Sequence, residues 1–290
     1  MMHEAARTVV HLCLLCLVAL GVSLVTSDKA AAEPAKPADV KKTEKVDSRD
    51  LRPFFKRWGL KARAQGDRDT CSVFTMTGAI EYALAKQGRR GPRLSIEFLN
   101  WASNQVTKIP EDGSYFSDLW KAFEKYGACP EAAMPYQSKF DPKLRPSDKA
   151  LDDAKPLHKA GLRMHWIKRW DPTKGANRRQ LEEIKRALRK GWPVCGGFLW
   201  PKKGLDQWTD GILKILPREQ MRDGHSVLLV GFRDDPKQPG GGVFLIRNSS
   251  KGAGDGALTY EYIRTYLNDA VWIEPTGRPG FRRKEVASGK

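Results

Sequence analysis

The chain has 290 residues, of which 29% are charged and 40% hydrophobic. That composition is ordinary for a globular protein, and the length is enough for one large domain or two small ones with a real core. The formal net charge is +17, from 51 basic and 34 acidic residues. Its basic clusters, such as Arg178-Arg179, Lys202-Lys203 and Arg282-Arg283-Lys284, carry no nucleic-acid motif and no regular aromatic interleave, so no specific nucleic-acid partner is expected. The charge does permit contact with anionic polymers, anionic lipids or acidic proteins. No spacing of Asp, Glu, His or Cys makes a metal site, no cofactor is implied, and no feature specifies an oligomeric state.

Arg7 precedes an apolar run from Val9 to Val25, and small residues follow at Ser23–Ser27 and Ala30–Ala32. Residues 1–27 therefore read as a secretory signal peptide, or as an uncleaved membrane anchor, since the run is close to the lower length for a span. Either reading places the protein outside the cell or at the cell envelope. Cleavage leaves Cys71, Cys129 and Cys195, an odd number. That fits one reactive thiol with either a single disulfide or two buried free cysteines, and excludes a disulfide-rich scaffold.

Residues 28–47 are rich in Ala, Pro, Lys, Asp and Glu and read as a flexible linker. The folded part spans 48–274, and 275–290 reads as a basic disordered tail. The spacing predicts a helix from Cys71 to about Gln87, ended by Gly88 and Gly91-Pro92. A short helix follows over Leu94–Ala102 with Ser95 as cap, then another over Ser117–Lys125, with Gly127 past its end. Residues 138–158, polar and proline-containing, read as an extended surface connection. Arg179–Lys190 is predicted helical. Strands are predicted at Trp192–Phe198, Ser226–Phe232, Gly242–Arg247 and Ala270–Ile273. Helices come early and strands late, so the class is α+β in two lobes around a cleft. Cys129 reads as structural and Cys195 as core. Phe116, Trp120, Phe123, Trp101, Trp192, Trp200 and Trp272 read as packing residues, and Gly240–Gly242 as a turn.

Cys71 stands at a helix start, where unpaired N–H groups and the helix dipole favour a thiolate. A reactive thiol needs a base, and the base needs an orienting partner. Outside the leader the histidines are His158, His165 and His225. Only His225 stands behind a glycine, Gly224, and directly before a long apolar strand. Asn248 follows the next strand, where its side-chain carbonyl could hold that ring. Gln65, six residues ahead of Cys71, could aim its amide at a developing oxyanion beside the Cys71 N–H.

These residues together resemble the papain-like cysteine peptidases, and in particular their bacterial branch without a long inhibitory propeptide. The resemblance covers about residues 48–274. It rests on Gln65-Gly66 before Cys71, on Asp223-Gly224-His225-Ser226 leading a strand, and on Asn248-Ser249 after one. Leu94-Ser95, Asp112-Gly113-Ser114, Tyr126-Gly127, Pro135-Tyr136 and Tyr260-Glu261-Tyr262 add to it. It implies a two-lobed fold and an endopeptidase acting on protein or peptide substrates. Cys71 would attack the scissile carbonyl and form a thioester. His225 would share an ion pair with the thiolate, protonate the leaving amine and then activate water. Asn248 would orient His225, and Gln65 with the Cys71 N–H would hold the oxyanion. Gly113 would pair the substrate backbone, and Gly224 would flank it.

The chain departs from the family pattern at several positions. Ser72 replaces the aromatic residue after the nucleophile. Arg68 replaces a cysteine that the family places in a disulfide. Ser250 replaces a tryptophan that shields the asparagine–histidine bond. The Gly240–Gly242 excursion is longer than the minimal hairpin. Residues 28–47 are too short and polar for the usual inhibitory module, which implies inhibition in trans or no zymogen stage. Two other functions share these residues: a catalytically weakened binding domain at the envelope, and a thiol-dependent acyltransferase.

Overall fold

The computed structural model describes residues 46–88, 93–158, 160–250 and 254–277. The leader, most of the linker and most of the basic tail lie outside the described residues. Strand β1 (Ser48–Asp50) leads into helices α1 (Arg52–Arg57), α2 (Cys71–Lys86), α3 (Ile96–Thr107), α4 (Phe116–Tyr126) and α5 (Asp148–His158). Strand β2 (Leu162–Lys168) and helix α6 (Arg178–Arg189) come next. Then follow β3 (Val194–Pro201), β4 (Trp208–Thr209), β5 (Ile212–Leu213), β6 (Met221–Asp234), β7 (Gly242–Asn248) and β8 (Gly254–Thr259). Helix α7 (Tyr260–Tyr266) and strand β9 (Leu267–Pro275) close the fold. Among the described residues no helix is long and apolar enough to cross a membrane.

The helices from α1 to α5 form one lobe. The other is a sheet in the order β2-β9-β3-β6-β7-β8-β5-β4, with β1 added against β6. Every pairing is antiparallel except β5 with β8. The α+β, two-lobed expectation therefore holds.

Helix α2 joins the lobes. Its first fourteen residues are buried apart from Gly78. It packs against β3, β6 and β9 and also against α3 and α4. A helix with apolar contacts all round belongs in an interior, and that position carries Cys71 to the boundary between the lobes. Ser95 caps α3, as predicted, by accepting from the Phe98 N–H at 2.9 Å. Helix α6 opens with a capping box between Asn177 and Gln180.

One segment corrects the sequence reading. Residues 148–158 are helix α5, not extended chain. Ala150 and Ala154, four residues apart, are fully buried, and this pair of small residues is a weak hydrophobic signal. Lys149 pairs with Asp153 and Lys155 with Asp152 along the outer face. Pro156 stands in the last turns, where few intrahelical bonds remain to lose. The helix passes so close to Gly127 that a Cβ there would lie 2.1 Å from the Ala154 carbonyl oxygen, and Gly127 also has φ +75°. Strands β1 and β2, helices α1 and α7 and the short β4, β5 and β8 were not predicted. Strand β2 is an edge strand of mostly half-buried residues, with no clean alternation to mark it.

The loop ahead of α2 is fixed by Arg68, at the position where the related family places a disulfide cysteine. Its guanidinium is buried and bridges Glu97 of α3 and Asp112 of the following loop, at 2.5 and 2.6 Å. It also donates to the Gln137 carbonyl at 3.0 Å and lies 4.7 Å from the Tyr136 ring centre. Four separate stretches of chain thus meet on one cation. Replacing one partner of a buried ion pair strands the others. The variant Arg68→Met is expected to lose about 3–5 kcal/mol of stability in urea unfolding. All three described cysteines are free, so a reductant should leave the wild-type unfolding midpoint where it is.

Candidate active site

Cys71 is the first residue of α2 and is 6% exposed. Its residue before the helix, Thr70, does not cap it. The Thr70 hydroxyl instead meets the Tyr136 hydroxyl at 2.6 Å. Cys71 and His225 both line one cleft of about 430 Å³, together with Gly113, Gly224 and residues of both lobes. The Cys71 thiol donates to the Gly224 carbonyl across 3.6 Å. The strand carrying His225 begins at Met221, earlier than the sequence suggests, and pairs His225 with Phe198 of β3.

Asn248 ends β7 and meets His225, with its Oδ1 2.9 Å from the ring Nε2. The same oxygen accepts the Ser250 N–H at 3.1 Å. A carbonyl oxygen can only accept, so Nε2 must carry a proton. The lone pair of the neutral ring is then on Nδ1.

Gln65 is held from several directions. Its Oε1 accepts from the Ser249 hydroxyl at 2.8 Å, which fixes the orientation of the amide. Its Nε2 donates to the Arg68 carbonyl at 2.6 Å. One of the two amide protons is therefore spent on the loop, and Gln65 is not among the residues lining the cleft. Its own carbonyl accepts from the Tyr136 hydroxyl. Gly113 does line the cleft, at φ +76°. Its N–H is taken by Asn100 Oδ1 at 3.0 Å, so pairing with an extended chain would fall to its carbonyl. Ser72, where an aromatic residue was expected, accepts the Ser114 N–H at 3.1 Å and so ties α2 to the Gly113 loop.

Trp200 of β3 is a site residue that sequence reasoning assigned only to packing. Its ring centre lies 4.5 Å from that of His225, tilted by 55°, and it is 6% exposed. An aromatic cover thus reaches the histidine from a neighbouring strand, although Ser250 supplies none. A break in register between Phe198 and Trp200 brings the side chain there. Ser249, named in the sequence only as the companion of Asn248, also has a part here. It joins the Gln65 loop to the end of β7 by its hydroxyl and by its carbonyl, which accepts the Gln65 N–H at 2.7 Å.

Burial depresses His225 to about 4, against the raising effect of its bond to Asn248. Burial also pushes the Cys71 thiol up, while the Ser226 and Ser72 N–H groups oppose that rise. Cys129 and Cys195 are driven up by burial as well. Among the described residues no group of His, Cys, Asp and Glu is arranged to hold a metal ion.

The family model described as "Papain family cysteine protease" matches residues 43–270. The chain belongs to that family and is a cysteine-type peptidase acting on protein or peptide substrates. A curated relative, an uncharacterized peptidase C1-like protein of Acanthamoeba polyphaga mimivirus, is 28% identical over 223 residues, spanning 72% of this chain and 68% of its own. Among solved structures, xylellain, a cysteine protease from Xylella fastidiosa, superposes with a TM-score of 0.61 at 21% identity, covering 80% of this chain and 87% of that one. Digestive procathepsin L 3 of Tenebrio molitor gives a TM-score of 0.53 at 19% identity, covering 81% and 72%. The cysteine protease and lectin-like domains of Cwp84, a surface layer associated protein of Clostridium difficile, give 0.54 at 16%, covering 80% and 54%.

The thiol and imidazole together hold one proton near neutrality, whichever of the two carries it. In the unfolded chain His225 returns to about 6.5. Unfolding between pH 6.5 and 4 should therefore take up about one proton at this site, and stability should fall as pH falls through that window. The loss is on the order of 3 kcal/mol for a shift of this size. Urea unfolding at pH 7 and pH 4.5 should show this term in wild type and lack it in His225→Gln.

Proposed function

We propose that Cys71 is the nucleophile of this peptidase and His225 its general acid and base, oriented by Asn248. The observation that carries the reading is the 2.9 Å contact between His225 Nε2 and Asn248 Oδ1. It fixes the tautomer, so the free ring nitrogen in the cleft shared with Cys71 is the basic one. The thiol passes its proton to Nδ1, and the thiolate attacks the scissile carbonyl to give a tetrahedral oxyanion. The Cys71 N–H at the start of α2 and the remaining amide proton of Gln65 hold that oxyanion. Collapse forms the thioester, and the imidazolium gives its proton to the leaving amine. The neutral ring then activates the water that releases the acyl group. Gly113 and Gly224 flank the substrate backbone. Trp200 excludes water from the His225–Asn248 bond, whose strength depends on a low local dielectric.

The protein belongs, on this reading, to the bacterial-type branch without a long inhibitory propeptide. The short, polar stretch 28–47 ahead of the domain supports this. Residues 1–27 act as a leader or anchor, 28–47 as a linker and the end of the chain as a basic tail, with the product secreted or held at the cell envelope. The apolar run Val9–Val25 supports that placement, as does the surface-layer association of Cwp84. The +17 charge favours an anionic surface there.

Cys71→Ala is expected to abolish turnover of a fluorogenic peptide while leaving the circular dichroism spectrum unchanged. Persistent turnover would remove Cys71 from the mechanism. An epoxide probe should label Cys71 selectively, and labelling should depend on His225. Loss of His225 should cost more than loss of Asn248, and Gln65→Ala about 10²–10³-fold in kcat. Trp200→Ala should lower kcat about tenfold or more if the covered bond contributes the ~1–3 kcal/mol of a buried hydrogen bond. Trp200→Phe should restore part of that rate, and both should retain Cys71 labelling.

A further inference from the structure

The protein as a whole is strongly basic, but the cleft holding Cys71 and His225 is lined by the carboxylates Asp69, Glu111, Asp112, Asp118 and Asp269 and by no lysine or arginine. Two of them are offset locally. Arg68 neutralises Asp112, and Lys121 pairs with Asp118 at 3.0 Å. Lys168 lies within electrostatic reach of Asp269, with its ammonium on the Asn268 and Asp171 carbonyls. Arg222 acts on Cys71 and His225 from outside the lining. Asp69 and Glu111 are exposed, and no ion pair is formed by either among the described residues.

A second feature of the same cleft is apolar. Ile109, Tyr115 and Trp170 line it and are 53%, 55% and 46% exposed. Tyr115 and Trp170 meet edge to face, with ring centres 5.6 Å apart. Large apolar side chains left open together mark a binding surface. An aromatic shelf beside carboxylates suits a side chain with an apolar stem and a cationic head.

The wall at β3 leaves room for this. Gly197 faces Asp269 across the β3–β9 pair, and a Cβ on Gly197 would lie 2.2 Å from Asp269 Oδ1. Only the bare glycine lets that carboxylate stand at the cleft wall, where it is 5% exposed.

Resting on the peptidase reading, we propose that this cleft selects substrates by a basic side chain, arginine or lysine, laid along the Tyr115–Trp170 shelf with its charge read by Asp69, Glu111 and Asp269. The carboxylates supply the sign of the selection, and the shelf supplies contact for the methylene stem. Peptides with acidic side chains at the same position are repelled.

The test compares matched peptides that carry arginine, citrulline or glutamate at each of the two positions before the scissile bond. Citrulline keeps the shape of arginine and removes its charge. Wild type should favour arginine over citrulline by about tenfold or more in kcat/KM at one position, the scale of a charge-assisted hydrogen bond. Glutamate should be the poorest, and added salt should narrow the spread. The ratio should fall toward one in Asp269→Asn. The exposed double variant Asp69→Asn with Glu111→Gln, which disturbs no buried group, should also lower it. Equal turnover of the arginine and citrulline peptides at both positions would overturn the proposal, as would a preference that survives all three neutralisations. Binding of the same peptides to Cys71→Ala, followed by tryptophan fluorescence, separates selection from catalysis. An arginine preference there without turnover by wild type would keep this proposal and remove the catalytic reading. Equal binding of all three peptides would remove the proposal whatever the turnover.

Discussion

The buried guanidinium of Arg68 is the constraint on which the cleft depends. It lies between the two ends of the short segment that supplies Gln65 and Cys71, and its partners come from α3, from the loop that ends in Gly113 and from residue 137. Its own carbonyl receives the Gln65 amide. The same residue therefore sets the position of the loop through its side chain and the direction of Gln65 through its backbone. A guanidinium suits this role better than an ammonium, because its planar fork can serve two carboxylates and a carbonyl at once while one face lies on Tyr136.

A second brace runs on the sheet side. Ser249 binds Gln65 through both its hydroxyl and its carbonyl, and its neighbour Asn248 holds His225. A displacement of the end of β7 would reach the imidazole and the Gln65 amide together. Trp200 acts on the same ring from the other neighbouring strand. His225 is thus fixed by β6 through its backbone, by β7 through a hydrogen bond and by β3 through an aromatic face. No contact within its own segment could do all three.

This division explains what could be read from the chain. Cys71, His225 and Asn248 each carry a local mark: a helix start, a glycine before a strand, a strand end. The two lobes follow from helices gathered early and strands gathered late. Trp200 carries no such mark. It sits in a strand buried throughout, where a tryptophan is ordinary, and its role depends on a register break between two strands far apart in sequence. The five cleft carboxylates are equally hidden, because they come from the Cys71 loop, the Gly113 loop, α4 and β9 and converge only in space. Helix α5 was missed for a different reason. Its buried face is made of alanines, so the periodicity that reveals a helix is faint, and the packing that stabilises it is supplied by the bare Gly127 opposite.

Replacing the family disulfide with ion pairs also changes how folding relates to thiol chemistry. A thiol enzyme braced by a disulfide needs one sulfur reduced and another pair oxidised in the same surroundings. Here the brace is ionic and indifferent to redox state. Cys195 is fully buried, with its thiol donating to the Thr75 carbonyl, and Cys129 is buried as well, so neither of these two sulfurs can readily become a thiolate. Of the two pairings that the cysteine count left open, the structure takes the one with two buried free thiols. Among the described cysteines Cys71 alone lines the cleft, at a helix start whose N–H groups can receive negative charge. On the proposed mechanism sulfur reactivity in the described fold rests on that one atom, and the ionic brace lets reducing conditions keep it a thiol without loosening the loop that holds it.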